Sequence, residues 1–234
     1  MPGVVVLTAA LIPQLAADGE GPAPPWLMFS ASIVQSALLL ALAVWSGVAL
    51  APQVGLKAEV FQAAVRGGSI GVALRAKLLP GMVGGILGGA GLYATGSFAS
   101  PAALADVEQQ FVLPLLARVL YGGVTEELLM RWGLMTALVW LPWRFLQQRK
   151  GRPLPRYFWS AILVSALLFG AGHLPAAAAL IDELTIQVTL FIVGANAAFG
   201  VLFGYLYWQY GLEAAIGAHA SAHLVNYCLS AAVT

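Results

Sequence analysis

The sequence predicts an all-α fold: a polytopic transmembrane helical bundle of about seven spans, with one amphipathic helix at the membrane interface. Three observations predict it. Of 234 residues, 60% are hydrophobic and only 9% are charged, against about 25% charged in a soluble domain. Mean hydropathy is +0.86. The apolar residues run in long continuous stretches instead of alternating at period two, which favours helices over an outer-membrane barrel. Eleven Lys and Arg against ten Asp and Glu leave a net charge of +1. That is too little charge to coat a soluble surface and too little positive charge for a basic nucleic-acid face.

The elements follow in chain order. A spanning helix needs about 20 mainly apolar residues. Residues 4–17 read as a short first span instead of a cleaved leader. The second span covers 26–50, after the turn-rich Gly19–Pro25 stretch. Residues 57–77 mix charges with Val60, Phe61, Val65, Ile70 and Leu74, the pattern of an interfacial amphipathic helix. The third span, 78–97, carries Gly81, Gly84, Gly85, Gly88, Gly89 and Gly91, small residues that let helices approach closely. The fourth is 110–141, the fifth 157–174, the sixth 185–209 and the seventh 212–231. No repeat or soluble segment interrupts the chain, so 1–234 reads as one integral-membrane domain with its functional core at about 110–231. The lone Cys228 excludes an intrachain disulfide and reads as a small buried residue.

Charge placement orients the bundle. Nine of the eleven basic residues fall in two loops: Lys57, Arg66, Arg75 and Lys77, then Arg144, Arg149, Lys150, Arg152 and Arg156. The pairs Asp18 and Glu20, Asp106 and Glu108, and Asp182 and Glu183 occupy the alternate loops. By the positive-inside rule the basic loops are cytoplasmic, and a prokaryotic inner membrane is the expected location.

The remaining ionisable groups lie where they are costly. All three histidines, His173, His219 and His223, fall in apolar spans with Arg118, Glu126, Glu127 and Arg131. Such groups face the protein interior and mark functional sites. Glu127 and Arg131 are four apart with the acid first, the favourable order for an intrahelical ion pair. Glu126 then points about 100° away and stays free to act as a general base. Arg118 either pairs with Glu126 or snorkels to the outer interface. His173 follows Gly170 and Gly172 and precedes Pro175, which bends or ends its helix. His219 and His223 share one face, a spacing that suits metal ligation or two donors aimed at an oxyanion. Asn226 sits near them as a supporting or packing residue, and Asn196 as a helix-to-helix hydrogen bond. By these boundaries His173 is near the outer end of its helix, Glu126 at mid-depth and His219 nearer the cytoplasm. A common site therefore requires shifted boundaries or broken helices.

Three segments resemble the CAAX-protease and bacteriocin-processing (Abi) family of intramembrane glutamate-dependent proteases. They are Glu126-Glu127-Leu-Leu-Met-Arg131, Phe169-Gly-Ala-Gly-His173 and Gly211-Leu-Glu-Ala-Ala-Ile-Gly-Ala-His219. The resemblance spans about 100 residues and departs at one place, where His223 occupies the family's Asn or Asp position. It implies an endopeptidase without a cofactor, in which Glu126 and His173 activate water and His219 with His223 holds the oxyanion. Glu127 and Arg131 support them. The implied partner is a peptide or membrane-protein substrate, possibly prenylated, within the bilayer. The residues leave other readings open: a zinc protease using the three histidines and Glu126, a non-catalytic scaffold or immunity factor, or a small transporter.

Overall fold

A computed structural model describes residues 1–15, 23–104, 113–181 and 183–233. Among them the chain is helical with no strand. The acidic positions Asp18, Glu20, Asp106, Glu108 and Asp182 lie outside the described residues. We label the helices α1 (Pro2–Leu15), α2 (Pro25–Val54), α3 (Glu59–Arg66), α4 (Ile70–Ala94), α5 (115–145), α6 (Pro155–Ala171), α7 (Leu174–Ala178), α8 (Ile186–Tyr210) and α9 (Leu212–Val233).

Four segments are long and apolar enough to cross a membrane: Pro25–Val54, Ile70–Ala99, Pro155–Ala178 and Ile186–Tyr210. The expected count of seven also included α1, α5 and α9. α1 is only 14 residues long. α5 and α9 are long helices, but they carry the glutamates and histidines, which dilute their hydropathy. The spanning helices show lipid the apolar side chains that a soluble protein would bury. Leu38, Leu42 and Trp45 of α2 are each more than half exposed.

The interfacial element is shorter than the sequence suggests. α3 has only eight residues, and Ile70–Lys77 begins α4 instead. Gly67 and Gly68 break the run, Gly67 taking a left-handed φ of 71° that ends α3. Lys77 is accordingly buried and pairs with Glu59 at 2.7 Å, while Lys57 pairs with the same carboxylate at 3.0 Å. Cys228 also departs from expectation, being exposed on the last turns of α9, where an apolar bilayer accommodates it.

The glycines of α4 act as packing residues. α4 lies against α9 over most of its length. A Cβ on Gly85 would stand 2.7 Å from the Ser221 Cβ, and one on Gly89 would stand 2.7 Å from the Ala222 carbonyl oxygen. Bare backbone there lets the two helices close on each other, which in lipid replaces the hydrophobic drive as the source of association. α9 is held at its start as well. The Leu212 N–H donates to the Lys57 carbonyl, and the Val60 and Phe61 N–H groups donate to Glu213 at 2.7 and 3.1 Å. The first turn of α3 is thereby tied to the α8–α9 corner.

α5 is the unusual element. Its ends, Leu115–Ala117 and Thr136–Phe145, are α-helical, but Arg118–Glu126 and Leu128–Met135 are wound with hydrogen bonds five residues apart. Such wide winding is generally confined to single turns, often at functional sites. Two threonines fit it, the Thr125 and Thr136 hydroxyls donating to the Leu120 and Arg131 carbonyls five residues back. α2 packs on the second half of α5, with the Ser46 hydroxyl donating to the Gly133 carbonyl at 3.2 Å and the Trp132 ring against Gly47. α9 packs on the first half. A Cβ on Gly123 would meet the Ala220 Cα at 2.7 Å.

Candidate active site

Three elements bring the predicted residues together. Glu126 and Glu127 come from the middle of α5. His173 comes from the turn after α6, which stops at Ala171. His219 and His223 come from one face of α9. Glu126, His173, His219 and His223 line one cavity of about 150 Å³ with Tyr121, Phe169 and Phe203. On this measure one water needs about 10–15 Å³, so the cavity admits several. The expected mismatch in depth is absent. α6 ends early, Leu174-Pro175 start a separate short helix, and His173 is turned back toward Phe169.

The two adjacent glutamates differ in surroundings. The Glu127 side chain is fully buried, whereas that of Glu126 keeps 18% of its surface accessible. Glu127 lies 3.3 Å from the Arg131 Nε, the ion pair its spacing predicts. That contact brings charges together without hydrogen-bond alignment. Arg131 also donates an Nη2–H to the Gly200 carbonyl at 3.1 Å, and its guanidinium lies 5.0 Å from the centre of the Phe169 ring. The other Glu127 oxygen accepts from the His219 Nδ1 at 2.9 Å. Glu127 is therefore more than the partner of Arg131; it also sets the ring of His219.

That contact fixes which atom of His219 faces the cavity. With Nδ1–H committed to a carboxylate, Nε2 points toward Glu126, 4.0 Å away. A gap of that size suits an intervening group better than a direct hydrogen bond. The ring is held between Phe203, stacked at 4.4 Å, and His223, stacked at 5.0 Å. His173 is set in the same manner. Its Nδ1–H donates to the Phe169 carbonyl at 2.8 Å, which leaves the Nε2 lone pair free.

Not every expected residue joins. Asn226 faces a different cavity, with Tyr93, Tyr227 and Arg118. Asn196 donates to the Ile192 carbonyl of its own helix, not across helices, and lines the small cavity. Arg118 makes no ion pair with Glu126; its Nε–H donates to the Leu113 carbonyl at 3.0 Å and it lines the small cavity. Among the described residues no three of His, Cys, Asp and Glu converge as metal ligands.

Sequence reasoning missed Tyr121, Phe199 and Phe203. Tyr121 lies five residues before Glu126, which in a regular helix places it about 140° away. The wide winding of α5 brings both to one wall. Phe203 carried no signal, because an aromatic in an apolar helix looks like any lipid-facing one. A second cavity of about 600 Å³ opens beside the first. The two share Leu7, Leu113, Tyr121, Glu126, Phe169 and His173, and the larger is completed by Leu129, Met130, Leu168 and Leu180.

A model of the family described as type II CAAX prenyl endopeptidase, Rce1-like, matches residues 108–225. That range holds every residue of the cavity's polar wall. No curated protein and no solved structure matches the chain.

Proposed function

The chain belongs to the Rce1-like type II CAAX prenyl endopeptidase family, a family of proteases, and on that premise we propose a glutamate-dependent, metal-independent intramembrane endopeptidase. The observation that carries the proposal is the gathering of Glu126, His173, His219 and His223 around one small cavity, with Glu127 and Arg131 buried behind it. The chain is an integral membrane protein, built on four helices able to span a bilayer. Its basic loops belong, in this reading, on the cytoplasmic face of a prokaryotic inner membrane.

The chemistry follows from the donors and acceptors. A water in the cavity donates one hydrogen to the Glu126 carboxylate and the other to the Nε2 lone pair of His173, leaving its oxygen lone pair for a peptide carbonyl. Attack forms the C–O bond and moves the water's proton to Glu126. The oxyanion accepts from the His219 Nε2–H, with His223 beside it in support. Because Nδ1–H already serves Glu127, an Nε2–H requires the imidazolium. With Glu126, Glu127 and Arg131 that form makes the four charges sum to zero. Collapse of the intermediate breaks the C–N bond, and Glu126 returns its proton to the departing amine. The apolar second cavity suits an apolar or prenylated substrate segment.

The test uses detergent-purified wild type and Glu126→Gln on a peptide library that includes farnesylated carboxy-terminal peptides, with products read by mass spectrometry. Wild type is expected to cleave a defined class, and Glu126→Gln to lose at least about a hundredfold of that rate. Equal cleavage by both proteins would overturn the assignment of the base. Cellular function retained by Glu126→Gln would favour a scaffold over a protease.

A further inference from the structure

The loop that joins α5 to α6 is the most basic stretch of the chain, and the proposed hydrolysis uses none of it. Residues 144–156 hold Arg144, Arg149, Lys150, Arg152 and Arg156 and no acidic residue. Among the described residues none of the five forms an ion pair with a carboxylate. The two outer arginines lie on aromatic rings, Arg144 5.4 Å from the centre of Phe145 and Arg156 5.1 Å from that of Tyr157. The three inner cations, Arg149, Lys150 and Arg152, are exposed.

Positive charge in a loop serves topology whatever the loop's shape. This loop has a fixed shape as well. The Gln147 Nε2–H groups donate to the Lys150 and Arg152 carbonyls at 2.5 and 2.8 Å, and Gln147 Oε1 accepts from the Leu154 N–H at 3.3 Å. The Trp143 Nε1–H donates to the Gly151 carbonyl at 2.9 Å. Three successive carbonyls are thereby spent inside the protein. The N–H groups of Gly151 and Arg152 have no partner among the described residues. Gln148 and Arg149 take left-handed φ angles of 53° and 59°, a conformation uncommon outside glycine. Around residues 150–152 the loop therefore offers backbone donors and cations, the chemistry that receives a phosphate.

The apolar neighbours narrow the source of that phosphate. Phe145, Leu146 and Leu154 flank the cations and are 63%, 76% and 40% exposed. Trp159, Tyr205 and Trp208 cluster at the adjoining ends of α6 and α8, the ring types of a membrane interface. A free phosphate or an acidic peptide leaves the exposed Phe145 and Leu146 in water. A phospholipid joins a phosphate to acyl chains and satisfies both halves of the loop. A zwitterionic headgroup brings its own cation among the arginines, so an anionic one fits better. We propose that residues 144–156 form a headgroup site for an anionic phospholipid, with Arg149, Lys150 and Arg152 on the phosphate and Phe145 and Leu146 against the acyl chains. The site stands independently of the peptidase reading.

Lipid selectivity tests it. Detergent-purified protein is titrated with phosphatidylglycerol and, separately, with phosphatidylcholine of the same chains, and one-lipid complexes are counted by native mass spectrometry. The ratio of the two dissociation constants is read, so a general change in lipid affinity cancels. Wild type is expected to favour phosphatidylglycerol at least about tenfold. Arg149→Gln/Lys150→Gln/Arg152→Gln should bring the two lipids within about twofold of each other. Gln147→Ala keeps every charge but frees the loop, and should lower the ratio at least about threefold. Arg66→Gln/Arg75→Gln removes exposed charge from the other basic stretch and should leave the ratio within about twofold of wild type. Equal binding of the two lipids by wild type, an unchanged ratio in the triple variant or in Gln147→Ala, or an equal loss in Arg66→Gln/Arg75→Gln would each overturn the site. Displacement of phosphatidylglycerol by an equal concentration of inorganic phosphate or of an acidic peptide would overturn its assignment to a lipid.

Discussion

Glu126 and Glu127 are neighbours in sequence with divided surroundings. One borders the cavity, and the other is walled in by Arg131 and His219. Half of that division was legible. The four-residue spacing to Arg131 predicts the ion pair and, with it, the free position of Glu126. The Glu127–His219 contact was not legible, because its partner is 92 residues away and nothing local points to it. The pair also sets an energetic test. Removing one member of a buried ion pair strands the other, at about 3–5 kcal/mol, whereas replacing both with apolar groups is often neutral. Arg131→Met alone should therefore lower thermal stability sharply. Arg131→Met combined with Glu127→Met should recover most of that stability yet remain slow, since His219 has lost its anchor. Thermal unfolding and peptide cleavage measured on both proteins check this. A double variant as active as wild type would contradict the role given to Glu127.

Among the elements, α5 decides whether a site exists. Its wide winding aligns Tyr121 with Glu126, and its Gly122-Gly123 pair lets α9 bring His219 and His223 close. The sequence announces the glycines but not the winding, because no residue pattern in the segment marks i→i+5 hydrogen bonding. The glycines of α4 were legible as packing residues for the opposite reason: their spacing alone marks a close helix contact. A graded pair of substitutions tests the geometry. Gly123→Leu drives a side chain into the Ala220 backbone and should cost about 1–3 kcal/mol by overpacking. Gly71→Ala, where an added Cβ meets nothing within 4 Å, should be neutral or gain roughly 0.5–1 kcal/mol from helix propensity. Unfolding in detergent reads both. Similar losses at the two sites would contradict the helix contacts described.

For the whole molecule, the interfacial clamp and the orientation of the bundle matter most. Glu59 is held below the usual carboxylate value of 4.5, first by its hydrogen bond from Lys77 and then by that from Lys57. A lowered folded-state value means the clamp contributes fully above the ordinary pKa and is lost as pH falls through the lowered one. Glu59→Gln should therefore be less stable than wild type at pH 7, with the gap closing on acidification below about 4.5. A gap that stays constant down to pH 3 would contradict the clamp. The proposed orientation has its own check in a Cys228→Ser background carrying Lys150→Cys. Impermeant maleimide should label that cysteine only after the cells are opened.

The helical class was readable from composition, and the cavity-lining glutamate and histidines from their place in apolar spans together with the family resemblance. The extent of the interfacial helix was not, because α3 ends at a glycine pair that hydrophobicity alone overlooks. The central claim is that a carboxylate within the bundle, and not a metal, activates the water. The most direct measurement is the cleavage rate of wild type and Glu126→Gln after exhaustive chelation, with metal content determined on the same samples. The account predicts undiminished wild-type cleavage at negligible zinc and a loss of at least about a hundredfold in Glu126→Gln. Wild-type activity that disappears with chelation and returns with stoichiometric zinc would contradict it.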